Sequence, residues 1–243
     1  MKLFCSVVAV LLVVLMAGFA HSAGFVNGGF ETGDFSGWTL GGPNPNDSAI
    51  VTPGTDPNTN NNLQKVSSGS YGARVGDQAG NSHSSTLSQT VLGWTDAAIY
   101  FAWAAVLQEP TNNVAHDPSE MPDFSVQLRD LSNGGFLLYD KTYNISNLPA
   151  GFFDGATNSV AGSPGLWQYN QWVAETLDTS AVIGHNLQLI VTATDCSLGG
   201  HGGYVYVDQV GSTPPDIQVP EPGTLLLLGC ALAGLYGIRR KMS

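Results

Sequence analysis

The chain has 243 residues with 19 acidic against 8 basic side chains, which gives a formal net charge of −11 at neutral pH. This balance excludes nucleic acid as an expected partner, since phosphate binding needs a clustered basic face. Hydrophobic residues make up 43% of the chain and charged residues 11%, a composition that suits a folded domain with a sizeable core.

The first 23 residues have the pattern of a secretory signal peptide. Lys2 supplies the positive charge, an apolar run covers residues 3–19, and small residues follow it. The spacing allows cleavage after Ala20 or after Ala23 and does not separate the two. We therefore predict an exported protein and leave residues 1–23 out of the fold.

The exported part, residues 24–213, is predicted to be one all-β domain. Short segments rich in β-branched and aromatic residues alternate with Gly, Pro, Asn, Asp and Ser clusters, which is typical of a jelly-roll β-sandwich. The predicted strands are residues 24–31, 37–39, 71–76, 84–92, 98–107, 123–130, 136–143, 171–177, 186–193 and 204–210. The predicted long loops are residues 41–62, 112–122 and 149–164, and a linker follows at 214–219.

Cysteine usage limits how the exported domain can be stabilised. Cys5 lies in the predicted signal peptide and Cys230 in an apolar C-terminal run, so Cys196 stands alone in the domain. An intrachain disulfide is therefore excluded there. The fold has to rest on packing, on hydrogen bonds and on a metal ion if one is bound.

The most distinctive stretch of the domain is Asn27-Gly-Gly-Phe-Glu-Thr-Gly-Asp-Phe-Ser-Gly-Trp38. Together with Ser88-Gln-Thr-Val91 and the closing Gly203-Tyr-Val-Tyr-Val-Asp-Gln-Val210, it resembles galactose-binding-like jelly rolls and the carbohydrate-binding modules among them. The resemblance spans most of residues 24–210 and implies a fold more than a ligand.

The same resemblance implies a structural Ca²⁺ site. Related modules often hold the ion with an opening Glu, a closing Asp and backbone carbonyls, which here means Glu31 and Asp208, with Asn27 among the expected donors. Calcium favours several carboxylate and carbonyl oxygens. The alternative is that both carboxylates are strand-edge residues paired with the backbone or with solvent.

Aromatic side chains are the candidates for stacking on sugar rings. Trp94, Trp167, Tyr169 and Trp172 each offer a flat face, and Trp94 and Trp167 are the leading candidates because they lie next to glycine in predicted turns. The alternative is that these rings are buried in the core.

Other stretches contain residue types that serve in catalysis or metal binding. Cys196 and His201 suggest a nucleophile and its base, but the glycines around His201 favour a tight turn instead. A zinc site would need further His or Cys ligands, which the spacing does not suggest. Residues 116–120 and 56–62 are polar enough to bind a metal but are predicted to be solvated loops.

The last residues of the chain, 220–243, combine three features in a fixed order. A stiff extended tripeptide is followed by an uncharged apolar run and a basic cluster: Pro220-Glu221-Pro222, residues 224–238 and Arg239-Arg240-Lys241. This order resembles the PEP-CTERM sorting signal of Gram-negative bacteria, which implies a short transmembrane helix and an exosortase that recognises the tripeptide. The run is shorter than the roughly 17–25 residues of an ordinary span, so crossing would require bilayer thinning.

We therefore predict an exported, exosortase-sorted protein that is held in the inner membrane during sorting and then reaches the cell surface or extracellular matrix. We expect it not to be an enzyme. The alternative is a module that binds exopolysaccharide or another glycan. A glycan-active enzyme is less favoured because the spacing suggests no catalytic pair, and ice binding because Thr192 and Thr194 alone form no threonine array.

Overall fold

The computed structural model describes residues 24–111, 116–148, 151–160 and 162–217. In this part the chain forms β-strands and short 3₁₀-helices, without an α-helix. The strands are β1 (Thr39–Gly41), β2 (Ala49–Val51), β3 (Gly72–Val75), β4 (Ser84–Val91), β5 (Ala98–Pro110), β6 (Asp123–Asp130), β7 (Phe136–Asn144), β8 (Phe152–Val160), β9 (Ser163–Asn170), β10 (Val173–Asp178), β11 (Leu187–Thr194) and β12 (Gly203–Gly211). The 3₁₀-helices are Pro45–Asp47, Pro57–Thr59, Pro118–Glu120, Leu131–Asn133 and Ser180–Val182.

The strands form two antiparallel sheets that pack face to face. The first sheet has five strands in the order β1-β4-β11-β6-β7, and the second has seven in the order β2-β3-β12-β5-β9-β8, with β10 paired to β5. Burial alternates along β4, β6 and β11, because every second side chain of these strands points between the sheets. The predicted all-β jelly-roll sandwich is confirmed.

Apolar side chains from both sheets fill the space between them. Leu87 and Leu189 of the first sheet belong to the same buried cluster as Phe101 and Val207 of the second. Strand β5 is buried along most of its length, because a second cluster covers the outer face of its sheet. The buried members of that outer cluster are Leu63, Ala104, Val106, Trp167, Tyr169, Tyr204 and Tyr206.

The opening segment is not a strand, so the prediction for residues 24–31 is wrong. Asn27 and Phe30 have φ angles of +52° and +58°, which are incompatible with strand geometry. The segment still docks on the last strand as expected, since the N–H of Val210 donates to the carbonyl of Gly28 at 2.9 Å.

Two of the predicted loops contain strands. Strand β2 lies within residues 41–62, and β8 with the start of β9 lies within residues 149–164. The β8–β9 hairpin pairs Phe152 with Asn170 and Val160 with Ser163. Its Gly, Asn and Ser residues have low strand propensity, so the pairing with its neighbours rather than the local sequence stabilises it. Strands β3 to β7 and β10 to β12 lie where they were expected.

The predicted signal peptide (residues 1–23) and the predicted sorting tail (residues 220–243) lie outside the described residues. Within the described part of the chain, no helix has the length and apolar character needed to cross a bilayer. The domain boundaries at residues 24 and 213 stay a prediction.

Candidate functional site

A cleft lies where strand β5 changes its neighbour. The C-terminal half of β5 pairs with β9 and its N-terminal half pairs with β10. Between the two registers, the N–H of Ala105 donates to Oδ1 of Asn170 at 2.7 Å, so a buried side chain completes the ladder at this point. The chain leaves the sheet at Gln171 and Trp172 and returns as β10, and the cleft opens at this crossing.

The cleft has a volume of about 430 Å³ and a largely aromatic lining. Trp103 is 3% exposed and Phe153 is 51% exposed, so the lining runs from the core to the surface. A concave apolar surface with a few polar groups is the usual form of a site for an organic ligand. The aromatic lining residues are Trp103, Tyr143, Phe152, Phe153 and Trp172, and the polar ones are Asn170, Gln171 and Glu175.

Trp172 is held in a fixed orientation at this site. Its indole Nε1 donates to the carbonyl of Gln64 at 2.8 Å, and its ring centroid lies 6.3 Å from that of Tyr206. The side chain is half-buried, and it also lines a smaller cavity of about 130 Å³ next to Val66 and Ser67. A fixed indole that is partly open to solvent can stack on a ligand without first losing rotamer freedom.

Glu175 supplies a carboxylate to the cleft, and its Oε2 accepts a hydrogen bond from Nε1 of Trp103 at 3.3 Å. Burial raises the pKa of the Tyr139 hydroxyl, and the charge of Glu175 raises it further. A hydrogen bond to Tyr143 raises the pKa of the Lys141 ammonium, and the charge of Glu175 adds to the rise. Of these residues, Tyr143 of β7 and Glu175 of β10 line the cleft itself.

The two tryptophans predicted to stack on sugars do not reach a surface. Trp94 and Trp167 are both fully buried. Nε1 of Trp94 donates to Oγ1 of Thr179 at 3.0 Å, and Nε1 of Trp167 donates to Oδ1 of Asn158 at 2.8 Å. Each indole therefore buries its apolar body and satisfies its N–H inside the fold, so the stacking role predicted for them is wrong.

The segment from residue 56 to residue 62 is only partly the solvated loop that was predicted, because residues 60–62 are exposed but Asp56 is fully buried. Oδ2 of Asp56 accepts hydrogen bonds from the hydroxyls of Tyr204 and Tyr206 at 2.7 and 2.8 Å. Its Oδ1 accepts from the N–H of Asn58 at 2.8 Å. We call these residues, together with Asn158, the tyrosine–aspartate cluster.

The tyrosine–aspartate cluster continues outward through side-chain amides. Nδ2 of Asn58 donates to the hydroxyl of Tyr204 at 3.1 Å, and Nδ2 of Asn158 donates to Oδ1 of Asn58 at 3.2 Å. Burial and the charge of Asp56 raise the pKa values of both tyrosine hydroxyls, which keeps them protonated as donors. Hydrogen bonding of this kind makes a buried polar cluster structural.

The carboxylates of Glu31 and Asp208 come to the same loop, residues 67–71. Oδ2 of Asp208 accepts from the N–H groups of Ser67 and Ser68 at 3.0 and 3.1 Å. The carboxylate of Glu31 accepts from the N–H groups of Ser70 and Tyr71, at 3.1 and 3.3 Å. We call this pair the carboxylate clamp, because both side chains hold the loop through its amides.

The carboxylates of the clamp have the donor type that calcium prefers, whereas the side chain of Asn27 makes hydrogen bonds within its own turn. Asp208 is fully buried, and burial raises its pKa to about 7, with Glu31 adding to the rise and the amide donors opposing it. Two neighbouring carboxylates with spare lone pairs are suitable oxygen ligands for a divalent cation. The side chain of Asn27 instead accepts from Thr32 N and donates to the carbonyl of Asp34, so it braces its own turn.

Three residues from two distant loops meet near the start of β12. The ligand atoms of His116, Cys196 and His201 all lie within 4.8 Å of one another. The rings of His116 and His201 are 5.2 Å apart and nearly perpendicular. We call these residues the histidine–cysteine cluster.

The histidine–cysteine cluster lacks the features of a nucleophile and base. Burial raises the pKa of the Cys196 thiol, which opposes formation of a thiolate. Burial lowers the pKa of His201, and His116 lowers it further, while a contact with the Pro164 carbonyl outside hydrogen-bond geometry acts in the opposite direction. The thiol and the imidazole nevertheless lie close enough to bind the same ion.

His116 is the residue of this cluster that sequence reasoning missed. The stretch 116–120 was predicted to be a solvated loop, and residues 117–119 are indeed exposed, but Pro118–Glu120 forms a 3₁₀-helix with a capping box between Asp117 and Glu120. The carbonyl of Glu120 accepts from the N–H of Ser197 at 3.0 Å, which docks the helix against the Cys196 loop. The only sequence signal was a histidine beside acidic residues, and its partner lies eighty residues away.

The C-terminal tail of the chain is similar to a known sorting motif. A family model for the PEP-CTERM protein-sorting motif matches residues 218–241. No curated protein that was compared with the chain is similar to it in sequence. The residues predicted for sorting lie inside the matched segment and outside the described residues: Pro220, Glu221, Pro222, Arg239 and Arg240.

Several solved structures are similar to the chain at low identity. TmCBM61 in complex with β-1,4-galactotriose has 18% identity over 77% of this chain and 95% of that chain, with a TM-score of 0.40. CBM28, a module specific for non-crystalline cellulose, has 14% identity over 76% and 91%, with a TM-score of 0.39. The K2 cleaved adhesin domain of Lys-gingipain has 15% identity over 73% and 88%, with a TM-score of 0.38.

Identities and TM-scores of this size transfer no ligand and no activity to this chain. The motif match is of a different kind, because it covers the tripeptide, the apolar run and the basic cluster in order. The chain thus carries a PEP-CTERM protein-sorting motif, which marks it for export and membrane-anchored sorting, behind a jelly-roll β-sandwich.

Proposed function

We propose that this protein is an exosortase-sorted surface or extracellular-matrix protein that binds a neutral polysaccharide in its aromatic cleft without cleaving it. The observation that carries the proposal is the cleft itself. Phe153 and Trp172 present partly exposed rings to it, and the side chains of Gln171 and Glu175 offer polar atoms beside them. Aromatic faces for the apolar side of a sugar ring and polar groups for its hydroxyls are the two needs of glycan recognition.

Charge favours a neutral glycan over an acidic one. The chain has a net charge of −11, and Glu175 is the carboxylate among the described lining residues. An anionic polysaccharide would meet repulsion both from the whole protein and from this side chain. A neutral sugar would instead donate a hydroxyl hydrogen bond to Glu175.

The lining also supports binding without hydrolysis. Glycoside hydrolases use two carboxyl groups about 5–9.5 Å apart on either side of the scissile bond. Glu175 is the one carboxylate among the described residues that line the cleft, and Trp103 already donates a hydrogen bond to it.

Sorting brings the cleft to the outside of the cell. We expect an exosortase to recognise Pro220, Glu221 and Pro222, while the inner membrane holds the apolar run and the positive-inside rule keeps Arg239 and Arg240 in the cytoplasm. At the surface or in the matrix, the domain would meet exopolysaccharide, including that of the producing cell.

A glycan array followed by titration calorimetry on the full chain in detergent tests the proposal. Phe153→Ala and Trp172→Ala are each expected to weaken binding at least about tenfold, since truncation of an aromatic anchor costs about 2 kcal/mol. Phe136→Ala is the matched control, because this phenylalanine is 61% exposed on β7 and does not line the cleft. Binding that survives both cleft variants, or the lack of any bound neutral glycan, would overturn the proposal.

A further inference from the structure

The histidine–cysteine cluster has the residue types of a transition-metal site. Imidazole nitrogen and thiolate sulfur are the donors that zinc takes most often in proteins, whereas calcium and magnesium take oxygen. His116, Cys196 and His201 bring two nitrogens and one sulfur within 4.8 Å of one another. A tetrahedral ion with bonds of about 2.0–2.3 Å separates its ligands by about 3.5 Å. Small side-chain movements therefore suffice to close the set around one ion.

The buried imidazole of His201 gives a second reason to expect a metal ion at this cluster. The residue is 1% exposed, and neither Nδ1 nor Nε2 has a hydrogen-bond partner among the described residues. Buried polar atoms are paired in nearly all folded proteins, and an unpaired one usually marks a bound ion or water. A ring nitrogen of His201 that coordinates a metal ion would no longer be unpaired.

The loop that holds Cys196 and His201 is set in place by backbone contacts. The N–H of Cys196 donates to the carbonyl of His201 at 3.0 Å, and the N–H of Gly200 donates to the carbonyl of Gly80 at 2.5 Å. Gly199 and Gly200 have φ angles of +78° and +94°, which other residues rarely adopt. The glycines expected for a tight turn thus also bring the thiol and the imidazole together.

We propose that His116, Cys196 and His201 form a Zn²⁺ site that joins the segment of residues 116–120 to the loop before β12. Three protein ligands leave a fourth coordination position for water. Cys196 is the one cysteine between residues 24 and 217, so the domain has no disulfide with which to fasten these loops. The metal would serve as that cross-link.

Zinc titration of the tag-free full chain tests this proposal. The protein in detergent is stripped with a chelator, titrated with Zn²⁺ by calorimetry, and its metal content is measured by atomic emission. We expect one zinc ion per chain. Cys196→Ser and His201→Gln are each expected to weaken binding at least about 100-fold, since even the loss of an outer-shell partner costs about 10–100-fold.

Two further measurements separate loss of a ligand from loss of the fold. His116→Gln changes the half-buried member of the set, so it should melt like the metal-free parent and still lose zinc affinity. With Co²⁺ as the probe, the parent should show the thiolate-to-cobalt charge-transfer absorption, and Cys196→Ser should lack it.

His83→Gln is the matched control, because His83 belongs to a half-buried group with Asp47 and Asp77 and already contacts Asp47 at 2.6 Å. It should bind zinc like the parent. Zinc that stays bound in Cys196→Ser but leaves in His83→Gln would assign the ion to that other group and overturn the proposal. A parent protein that binds no zinc at micromolar concentration would overturn it as well.

Discussion

The tyrosine–aspartate cluster and the histidine–cysteine cluster are both buried, but they differ in how their polar atoms are satisfied. Asp56 accepts hydrogen bonds from two tyrosine hydroxyls and one amide. His201 has two ring nitrogens without a partner among the described residues. The two clusters are neighbours in the fold. The indole of Trp167 is hydrogen-bonded to Asn158, and its ring lies 3.0 Å from the position that a Cβ atom on Gly202, the residue after His201, would occupy.

This difference separates a structural polar cluster from one that a ligand would complete. A buried network with every member paired rigidifies a fold, whereas a partly paired one destabilises it. The charge of Asp56 is compensated by donors that come from β12, almost 150 positions along the chain. The imidazole of His201 has no hydrogen-bond partner in the described part of the chain, although it contacts the Pro164 carbonyl.

Removal of Asp56 should give the largest loss of stability. Asp56→Ala leaves the hydroxyls of Tyr204 and Tyr206 without their acceptor inside the fold, so we expect the free energy of unfolding to fall by about 3–5 kcal/mol. Urea unfolding of the purified protein measures it. Asp154→Ala on the exposed face of β8 is the control and should change stability by less than about 0.5 kcal/mol.

A similar loss in both variants would mean that the tyrosine–aspartate cluster does not depend on its carboxylate. Zinc should not restore Asp56→Ala to the stability of the parent, because Asp56 is not one of the proposed ligands. A full rescue by zinc would remove the distinction between the two clusters.

Much of the fold could be predicted because its strands alternate. The run from Phe124 to Arg129 has an apolar residue at every second position, and the run from Tyr204 to Val207 alternates tyrosine with valine, which is local information. Strand β8 has no such pattern, and it forms because β9 pairs with it. The opening segment looked like a strand, but the positive φ angles of Asn27 and Phe30 make it a turn.

The sites were harder to predict because they join residues that are distant in the chain. Glu31 and Asp208 were found together through a family resemblance, and both hold the same loop. The glycine next to Trp94 suggested that the indole ring would be exposed in a turn, but the ring is fully buried in the core. Trp172 lies in the cleft because the chain crosses from β9 to β10 at this residue. The sequence around Trp172 does not indicate this crossing.

The carboxylate clamp is an intermediate case between the two clusters. Its oxygens are paired with amides, but Glu31 and Asp208 also bring two acidic groups together. If calcium binds there, free Ca²⁺ at 100 times the dissociation constant adds about 2.7 kcal/mol to the free energy of unfolding. The protein should then melt several degrees higher in calcium than in chelator, as measured by scanning calorimetry at pH 7.5.

Asp208→Asn should remove most of that calcium-dependent difference, because the substitution replaces the buried carboxylate with a neutral amide. Asp140→Asn, on the exposed face of β7, is the control and should keep the difference. Identical melting curves with and without calcium would leave Glu31 and Asp208 as a clamp that is satisfied by amides alone.

Asp123 at the start of β6 is a half-buried carboxyl group with one side-chain hydrogen-bond partner. Burial raises its pKa to about 6 from the ordinary 3.8, and a hydrogen bond with Thr194 opposes the rise. Between these pH values the folded protein keeps a proton that the unfolded chain releases, so this contribution to stability is full below about pH 4 and lost as the pH rises to 6.

Asp123→Asn keeps the side chain neutral at every pH. It should remove this part of the pH dependence and raise the free energy of unfolding at pH 7 by about 1–2 kcal/mol, with little change at pH 4. Urea unfolding at both pH values measures it. Asp178→Asn, an exposed carboxylate with a lowered pKa, should bring no such gain, and an equal gain there would point to net charge as the cause.

His201→Leu gives the smallest expected change and the sharpest test of the comparison. In metal-free protein, leucine removes two unpaired buried nitrogens and keeps a side chain of similar size. Replacing an unsatisfied polar group by an apolar one is close to neutral or stabilising. We therefore expect the free energy of unfolding in chelator to stay within about 1 kcal/mol of the parent or to rise, the opposite of Asp56→Ala. With zinc present, the parent alone should gain stability. A loss in chelator as large as that of Asp56→Ala would mean that His201 already has partners in the fold, and the two clusters would then be of one structural kind.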